Sequence, residues 1–227
     1  MHCNIIAVPG MVQLSLTGAY EVLSRTPGWS VHVVSASPWP VRTSGGLRLL
    51  PDVTREQALP SDILLIPGGD GIELAMLDAQ WLSFIQREAA RARYVVSVCS
   101  GSLLLGATGF LKGRRAGGHW QSRALLAQFG AIACDERVTI DGNIYSSGGV
   151  TSGIDMILRL VGDVEGETVA KSIQLAMEHD PVPPYAGGTP FNSHPDIVRA
   201  VNHASQAKQA GREKLVSHAV GNRVFFP

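Results

Sequence analysis

The sequence predicts an α/β protein in which parallel β-strands are connected by helices. Short apolar runs recur along the 227 residues and are separated by longer amphipathic stretches, a pattern typical of strands that alternate with helices. Several apolar runs stop at turn residues, as Ile63 to Ile66 does at Pro67-Gly68-Gly69. Because open parallel sheets place their sites where strands end, each of these turns is a candidate for function.

In the first half of the chain the predicted elements follow one another regularly. Leu16, Tyr20 and Leu23 recur at helical spacing, and the glycines at 45–46 lie between two short apolar runs, which predicts a hairpin. The predicted elements are strands at 4–8, 29–36, 63–66 and 94–98, helices at 14–23 and 79–93, and a hairpin that joins 41–43 to 47–50.

The second half is less regular. Gly130 predicts the end of a helix at 123–129, and Asp141-Gly142 predicts a hairpin between strands at 137–140 and 143–146. Further helices are expected at 152–161, at 168–177 and within 195–216, with an irregular segment at 181–190 and a frayed end at 224–227. We therefore expect one domain at residues 1–180, with an irregular and helical C-terminal extension, residues 181–227, packed on it.

Composition excludes several classes of protein. Nineteen basic and nineteen acidic residues give zero formal charge, whereas a protein that binds polyanions non-specifically would carry a basic surplus. Three cysteines do not form a disulfide framework and fit a reducing compartment. The N-terminus lacks the pattern of a signal peptide, and no apolar run is long enough to span a membrane. We therefore expect a cytoplasmic protein with no membrane partner.

The segment around Cys99 is the strongest candidate for chemistry. A buried strand at 94–98 leads directly into Cys99, small residues follow, and an apolar helix comes next. A sharp turn from strand to helix presents one side chain above the sheet, and a helix N-terminus favours thiolate over thiol. We therefore expect a lowered pKa for Cys99. The alternative is that Cys99 is a small buried apolar residue.

Two further turns are candidates. Backbone amides in Pro67-Gly68-Gly69 could face a developing negative charge, although a tight turn that needs glycine explains the same residues. His119, in the segment Gly117-Gly118-His119-Trp120, could act as a general base or as the partner of a thiolate. A packed, hydrogen-bonded structural histidine is the alternative for His119. The remaining histidines and the cysteines show no zinc-ligand spacing.

Taken together and in this order, several segments resemble the ThiJ/PfpI superfamily, the relatives of class I glutamine amidotransferases, and in particular its isocyanide hydratase branch. They are LSLTGAYEVL at 14–23, PGG at 67–69, ARYVVSVCSGS at 92–102, GRRAGGHW at 113–120 and GGVTSGID at 148–155. The resemblance extends over nearly all of the chain before the proline-rich segment. It implies a flavodoxin-like sandwich with helices on both faces of a mostly parallel sheet, usually a homodimer, with no required metal or cofactor.

The resemblance also implies roles for individual residues. Cys99 would be the nucleophile, the amides of Gly69 and Ser100 would form the anion-stabilising hole, and Gly149-Val150 would line the pocket. In the hydratases a cysteine thiolate attacks the isocyanide carbon, water completes the addition, and an N-substituted formamide leaves. That reaction needs proton delivery to carbon and activation of water.

The sequence departs from the family pattern at the acidic residue beside the cysteine. Ser15 stands where the hydratases have an aspartate and much of the superfamily has a glutamate. A hydroxyl can donate a hydrogen bond to a thiolate but cannot shuttle protons near neutral pH, which often costs roughly 10²–10⁴-fold in rate. Asp70 could replace this carboxyl if its side chain points inward, and Glu21 is the other nearby carboxylate in sequence. Gly117-Gly118 stands where the related branch commonly has threonines. These positions lose hydroxyls and gain room, so we expect the pocket to differ in size and polarity.

Three functions follow from these residues. The first is a cysteine-dependent hydratase or hydrolase of a small molecule, isocyanide hydratase-like, with activity altered or lost because of Ser15. The second is a non-catalytic ligand-sensing module, since the same domain precedes helix-turn-helix segments in AraC-type regulators. About forty residues follow the proline-rich stretch, too few for such a pair of DNA-reading motifs, so direct DNA binding is not expected. The third is a redox- or stress-responsive protein that acts through Cys99.

Overall fold

A seven-stranded, largely parallel sheet organises residues 1–221, the part of the chain that the computed structural model describes. In chain order the strands are β1 His2–Ile6, β2 Ser30–Ser35, β3 Val41–Arg42, β4 Arg48–Leu49, β5 Val53–Thr54, β6 Ile63–Ile66, β7 Tyr94–Val98, β8 Arg115–Ala116, β9 Ile132–Ala133, β10 Val138–Asp141 and β11 Ile144–Ser147. The order across the sheet is β10-β11-β7-β6-β1-β2-β5, and only β10 runs antiparallel to its neighbour. The end predicted to fray, residues 224–227, lies outside the described residues.

Helices cover both faces of this sheet. They are α1 Gln13–Ser24, α2 Gly71–Ala75, α3 Ala79–Arg91, α4 Gly101–Ala107, a 3₁₀ helix Arg123–Phe129, α5 Ser152–Glu165, α6 Glu167–Ala176 and α7 Pro195–Gly221. Helices α1 and α5 pack against each other. Helix α4 packs on β6 and β7, and α3 and α7 pack against α4. Because both faces are covered, the central strands are apolar throughout, and all four residues of β6 are fully buried.

The structure confirms the predicted flavodoxin-like fold. Its mostly parallel sheet carries helices on both faces, and the two predicted hairpins form as β3–β4 and β10–β11. The segment at 123–129 is helical and is ended by Gly130 in the left-handed conformation, but it forms a 3₁₀ helix rather than an α-helix. Helix α2 and the two-residue strands β5, β8 and β9 were not predicted, because elements this short show no measurable hydrophobic period.

The C-terminal extension contacts the rest of the chain through α7. This helix packs on α2, α4 and the 3₁₀ helix, and it buries Val216 and Ala219. The division into a domain at 1–180 and an extension at 181–227 stays a prediction, which these contacts support. Within residues 1–221, no helix combines the length and the apolar character that crossing a membrane requires.

Candidate functional site

Cys99 lies in the turn between β7 and α4, and its backbone is strained. Its φ of 60° falls in the left-handed region that side chains other than glycine rarely adopt. Such a conformation costs of order 1–3 kcal/mol and clusters at functional sites. The Cys99 N–H donates to the carbonyl of Ser147 at 3.0 Å, which ties the turn to β11. The sharp, strained turn predicted from the sequence is therefore confirmed.

Glycines on neighbouring elements let the backbone approach this turn closely. A Cβ atom at Gly68 would lie 2.6 Å from the Cys99 Cβ, and one at Gly101 would lie 2.7 Å from the Pro67 carbonyl oxygen. Real side chains do not tolerate such distances, because backbone atoms cannot move aside as a flexible side chain can. Gly68, which follows β6, and Gly101, the first residue of α4, thus allow the end of β6 to lie close to the Cys99 turn.

A cavity of about 360 Å³ opens at this edge of the sheet. Its lining residues come from seven separate segments of the chain: Val12, Gly69, Asp70, Cys99, Ser100, His119, Gln121, Gly149, Val150, Thr151, Gly188, Lys208 and Arg212. Seven of the eight candidate residues named from the sequence meet here, and the exception is Ser15. The Cys99 thiol thus shares one small cavity with backbone amides, a carboxylate, a histidine and two cationic side chains.

Ser100 connects the two predicted amide donors. The Gly69 N–H donates to Ser100 Oγ at 3.0 Å, so this amide is engaged by a side chain within the protein. Ser100 itself is buried directly after Cys99, and its backbone N–H and hydroxyl both act to lower the pKa of the Cys99 thiol. The arrangement places the Ser100 amide beside the sulfur and holds it there through Gly69.

Burial raises the pKa of the half-buried Cys99 thiol, and this is the largest influence on it. Hydrogen bonding from Ser100 and the positive charges of Arg212 and Lys208 act in the opposite direction. The sequence-based expectation of a lowered pKa is therefore wrong in direction. The physical reason is that desolvation penalises a thiolate more than Ser100 and the two cationic side chains stabilise it.

His119 lies in the same cavity, and its backbone N–H donates to the Cys99 carbonyl at 3.2 Å. Its ring Nδ1 accepts a hydrogen bond from the Gln121 N–H at 3.3 Å, which assigns the proton of the neutral ring to Nε2. Burial, followed by the charges of Arg212, Lys208 and Arg123, lowers the pKa of His119 to about 4. The imidazole is therefore uncharged at neutral pH.

The lowered pKa of His119 predicts that the folded protein loses stability as the pH falls. The unfolded chain binds a proton at this residue near pH 6.5 and the folded chain only near pH 4, so stability is lost as pH falls between these values. Because of His119, we expect the free energy of unfolding to be about 1–2 kcal/mol lower at pH 5 than at pH 7. Urea unfolding of the wild type and of His119→Gln at both pH values measures this cost. Equal losses in the two proteins would contradict the prediction.

Ser15 is buried in the first turn of α1, and its hydroxyl has no hydrogen-bond partner among residues 1–221. Nor does it line the cavity. The carboxylate that does so is Asp70, whose half-exposed side chain forms an ion pair with Lys208 at 2.5 Å. Glu21, the other carboxylate considered, pairs with Arg25 on the surface of α1.

Gly117 and Gly118 do not enlarge the Cys99 cavity, contrary to expectation. A Cβ at Gly117 would lie 3.1 Å from Thr139 Oγ1, and one at Gly118 would lie 3.2 Å from the Cys99 carbonyl oxygen. Both positions are buried against neighbouring atoms, so the missing side chains leave no extra room there. Gly118 instead lines an adjoining cavity of about 240 Å³ next to Trp120.

The residues that the sequence analysis missed are mainly Lys208 and Arg212. Both lie on α7, and both line the cavity more than 100 positions after Cys99. Their spacing of four residues places them on one helical face, but nothing local indicates what that face contacts. Among residues 1–221, no group of three or more His, Cys, Asp or Glu side chains is placed to hold a metal ion.

The chain is similar to known proteins in both sequence and structure. Residues 2–163 match the DJ-1/PfpI family. Isonitrile hydratase from Pseudomonas putida is 44% identical over 198 residues, which are 87% of this chain and 87% of that protein. The crystal structure of a ThiJ/PfpI family protein from Pseudomonas syringae superposes with a TM-score of 0.92 at 35% identity, covering 95% of this chain and 90% of that one. The HTH-type transcriptional regulator GbdR of Pseudomonas aeruginosa is 31% identical, but the match covers only 39% of it.

Proposed function

The chain belongs to the DJ-1/PfpI family, and from this membership we propose that it is a cysteine-dependent hydratase that converts a small isocyanide into an N-substituted formamide. The observation that carries the proposal is the position of Cys99, on a left-handed turn that opens onto a small cavity beside the Ser100 amide. The similarity to a protein named isonitrile hydratase supports the choice of substrate.

The first half of the proposed reaction inserts the isocyanide carbon into the S–H bond of Cys99. The thiolate attacks the terminal carbon, a C–S bond forms, and the carbon takes up one proton. The product is a thioimidate in which the former isocyanide carbon carries one hydrogen, the sulfur and a double bond to nitrogen. The Ser100 amide stabilises the sulfur as thiolate before attack, and the proton that leaves sulfur balances the one that reaches carbon.

The second half consumes one water molecule. Water adds to the thioimidate carbon, and one of its protons passes to the nitrogen. The C–S bond then breaks, the formamide leaves, and the sulfur regains a proton. We assign these proton transfers to Asp70, the carboxylate that lines the cavity, because the Ser15 hydroxyl cannot lose and regain a proton near neutral pH.

Restoring a carboxyl group at position 15 is expected to increase turnover. The wild type should form the formamide slowly from cyclohexyl isocyanide, and Ser15→Asp should raise the rate about 10–100-fold, because it restores the carboxyl group that the hydratases carry at this position and that a longer side chain than serine extends toward the cavity. Proton NMR of the formyl hydrogen follows the product. Ser24→Asp adds the same charge to an exposed position of α1 and serves as the matched control. No formamide from either the wild type or Ser15→Asp would refute isocyanide hydration.

A ligand-binding role is the second candidate, and the buried Ser15 hydroxyl favours it. The hydratases place a carboxyl group at this position, whereas here the side chain makes no hydrogen bond within the described chain. A protein of this kind would bind an isocyanide or a formamide in the Cys99 cavity without turnover. A ligand-induced rise in melting temperature, with no product detected, would identify it.

We further infer that the protein acts on its small molecule as a cytoplasmic homodimer. Its three cysteines are all unpaired, which suits a reducing compartment. Large apolar side chains are exposed on the C-terminal extension, among them Val182, Tyr185 and Phe191. So many exposed apolar side chains support the inference that a second copy of the chain covers this surface.

A further inference from the structure

Helix α7 brings two cationic side chains to the wall of the Cys99 cavity. Lys208 and Arg212 lie one helical turn apart and both line the cavity. The same helix is fixed to the body of the protein by Val216, which is fully buried, and by Ala219. The C-terminal extension is thus part of the site and not only its neighbour.

Arg212 is a buried charge held in one position. Its side chain is 5% exposed, and its Nε lies 2.5 Å from Oε1 of the buried Glu73 on α2. Its Nη1 donates to Gln209 Oε1 at 2.8 Å. Burying two charges is costly unless their geometry is well satisfied, and replacing such a pair with apolar residues is often neutral or stabilising. Stability alone therefore does not explain a buried ion pair beside the nucleophile.

We propose that Arg212, held in place by Glu73, is a positioning residue whose guanidinium stabilises the Cys99 thiolate. The C-terminal helix thereby sets the reactivity of the nucleophile. This inference rests on the proposed function only in taking Cys99 as the reacting group, and it holds for whatever electrophile the cavity accepts.

The charges that face Cys99 come from three directions. Arg212 and Lys208 approach from α7, Asp70 approaches from the residue before α2, and His119 is uncharged at neutral pH; Glu73 of α2 does not line the cavity but pairs with Arg212 behind it. Arg212 makes the larger of the two cationic contributions that lower the pKa of Cys99 against the effect of burial. Removing the charge of Arg212 leaves Glu73 unopposed, whereas removing the charge of Glu73 leaves Arg212 unneutralised. The two changes should therefore act on the thiol in opposite directions.

The pH dependence of Cys99 alkylation by iodoacetamide tests this proposal. The measurement is made in a Cys134→Ser background, and mass spectrometry identifies the labelled site. Cys3 gives little background, because burial raises its pKa to about 12. We expect Arg212→Gln to raise the apparent pKa of Cys99 by about one pH unit, with about tenfold slower labelling at pH 7. Glu73→Gln should lower the apparent pKa by a similar amount, and the double variant should fall close to the starting protein.

A purely structural ion pair would give a different pattern. Both single variants would then loosen α7 and move the apparent pKa in the same direction, or neither would move it, and either result overturns the proposal. If Arg212→Gln fails to fold, Glu73→Gln decides alone, with Arg212→Lys expected to retain most of the wild-type labelling rate. Because labelling needs no isocyanide, the outcome is independent of whether the protein hydrates one.

Discussion

Cys99→Ala is expected to abolish formamide formation, with a loss of about 10³-fold or more relative to the wild type, as is typical when a covalent nucleophile is removed. The sulfur is the group that forms the bond to carbon in the proposed reaction. The hydroxyls of Ser100 and Thr151 also line the cavity, but an unactivated hydroxyl is a much weaker nucleophile than a thiolate. Formyl-hydrogen NMR with cyclohexyl isocyanide measures the effect.

Cys134→Ser is the matched control for this loss. Cys134 is half-buried and donates a weak hydrogen bond to the Ile132 carbonyl at 3.5 Å. It does not line the Cys99 cavity, so Cys134→Ser should retain full turnover. Turnover by Cys99→Ala above a tenth of the wild-type rate would show that the reaction does not pass through this sulfur.

Gly101→Ala is expected to cause the largest loss of stability, about 3 kcal/mol or more, because overpacking costs typically 1–3 kcal/mol and here the obstacle is backbone. The added Cβ would lie 2.7 Å from the Pro67 carbonyl oxygen and closer still to that of Ile66. Neither oxygen can move without separating β6 from the Cys99 turn. The variant should therefore also lose Cys99 labelling and turnover. Urea unfolding at neutral pH gives the free energy of unfolding.

Gly211→Ala is expected to have the opposite effect on stability, although it too replaces a glycine with alanine. Gly211 lies inside α7, and a Cβ there would meet no atom within 4 Å. Alanine is preferred over glycine in a helix interior by about 1 kcal/mol, so this variant should be slightly more stable than the wild type. Similar unfolding free energies for the two variants would show that the close approach at Gly101 does not govern the fold.

These expectations distinguish what each part of the site contributes. In the proposed reaction Cys99 supplies the reacting atom, Gly68 and Gly101 allow the close approach at its turn, and α7 brings two cationic side chains to the cavity. A variant that retains the fold but loses Cys99 labelling would implicate charge, whereas one that loses both would implicate packing. Unfolding, labelling and turnover measurements together separate these causes for the Arg212, Glu73 and Gly101 variants.

Local patterns in the sequence were sufficient to predict the framework of the fold and the strained turn at Cys99. The strands β6 and β7 were predicted with their bounds, because a strand buried on both faces must be a continuous apolar run between turn residues. The turn at Cys99 was predicted for a related reason, since a sharp strand-to-helix turn requires small neighbours directly beside it in sequence. Seven of the eight candidate residues meet in one cavity because parallel strands end at a common edge.

The tertiary structure decided the electrostatics of the site. The pKa of Cys99 depends on how much of the whole molecule covers it, and burial reversed the direction expected from the adjacent helix. Arg212 meets Glu73 across 139 positions of sequence, a contact that no local pattern encodes, and Asp70 is paired with Lys208 in the same way. Hydrophobic periodicity reports only which face of an element is buried, whereas a charge acts through space on whatever group the fold brings beside it.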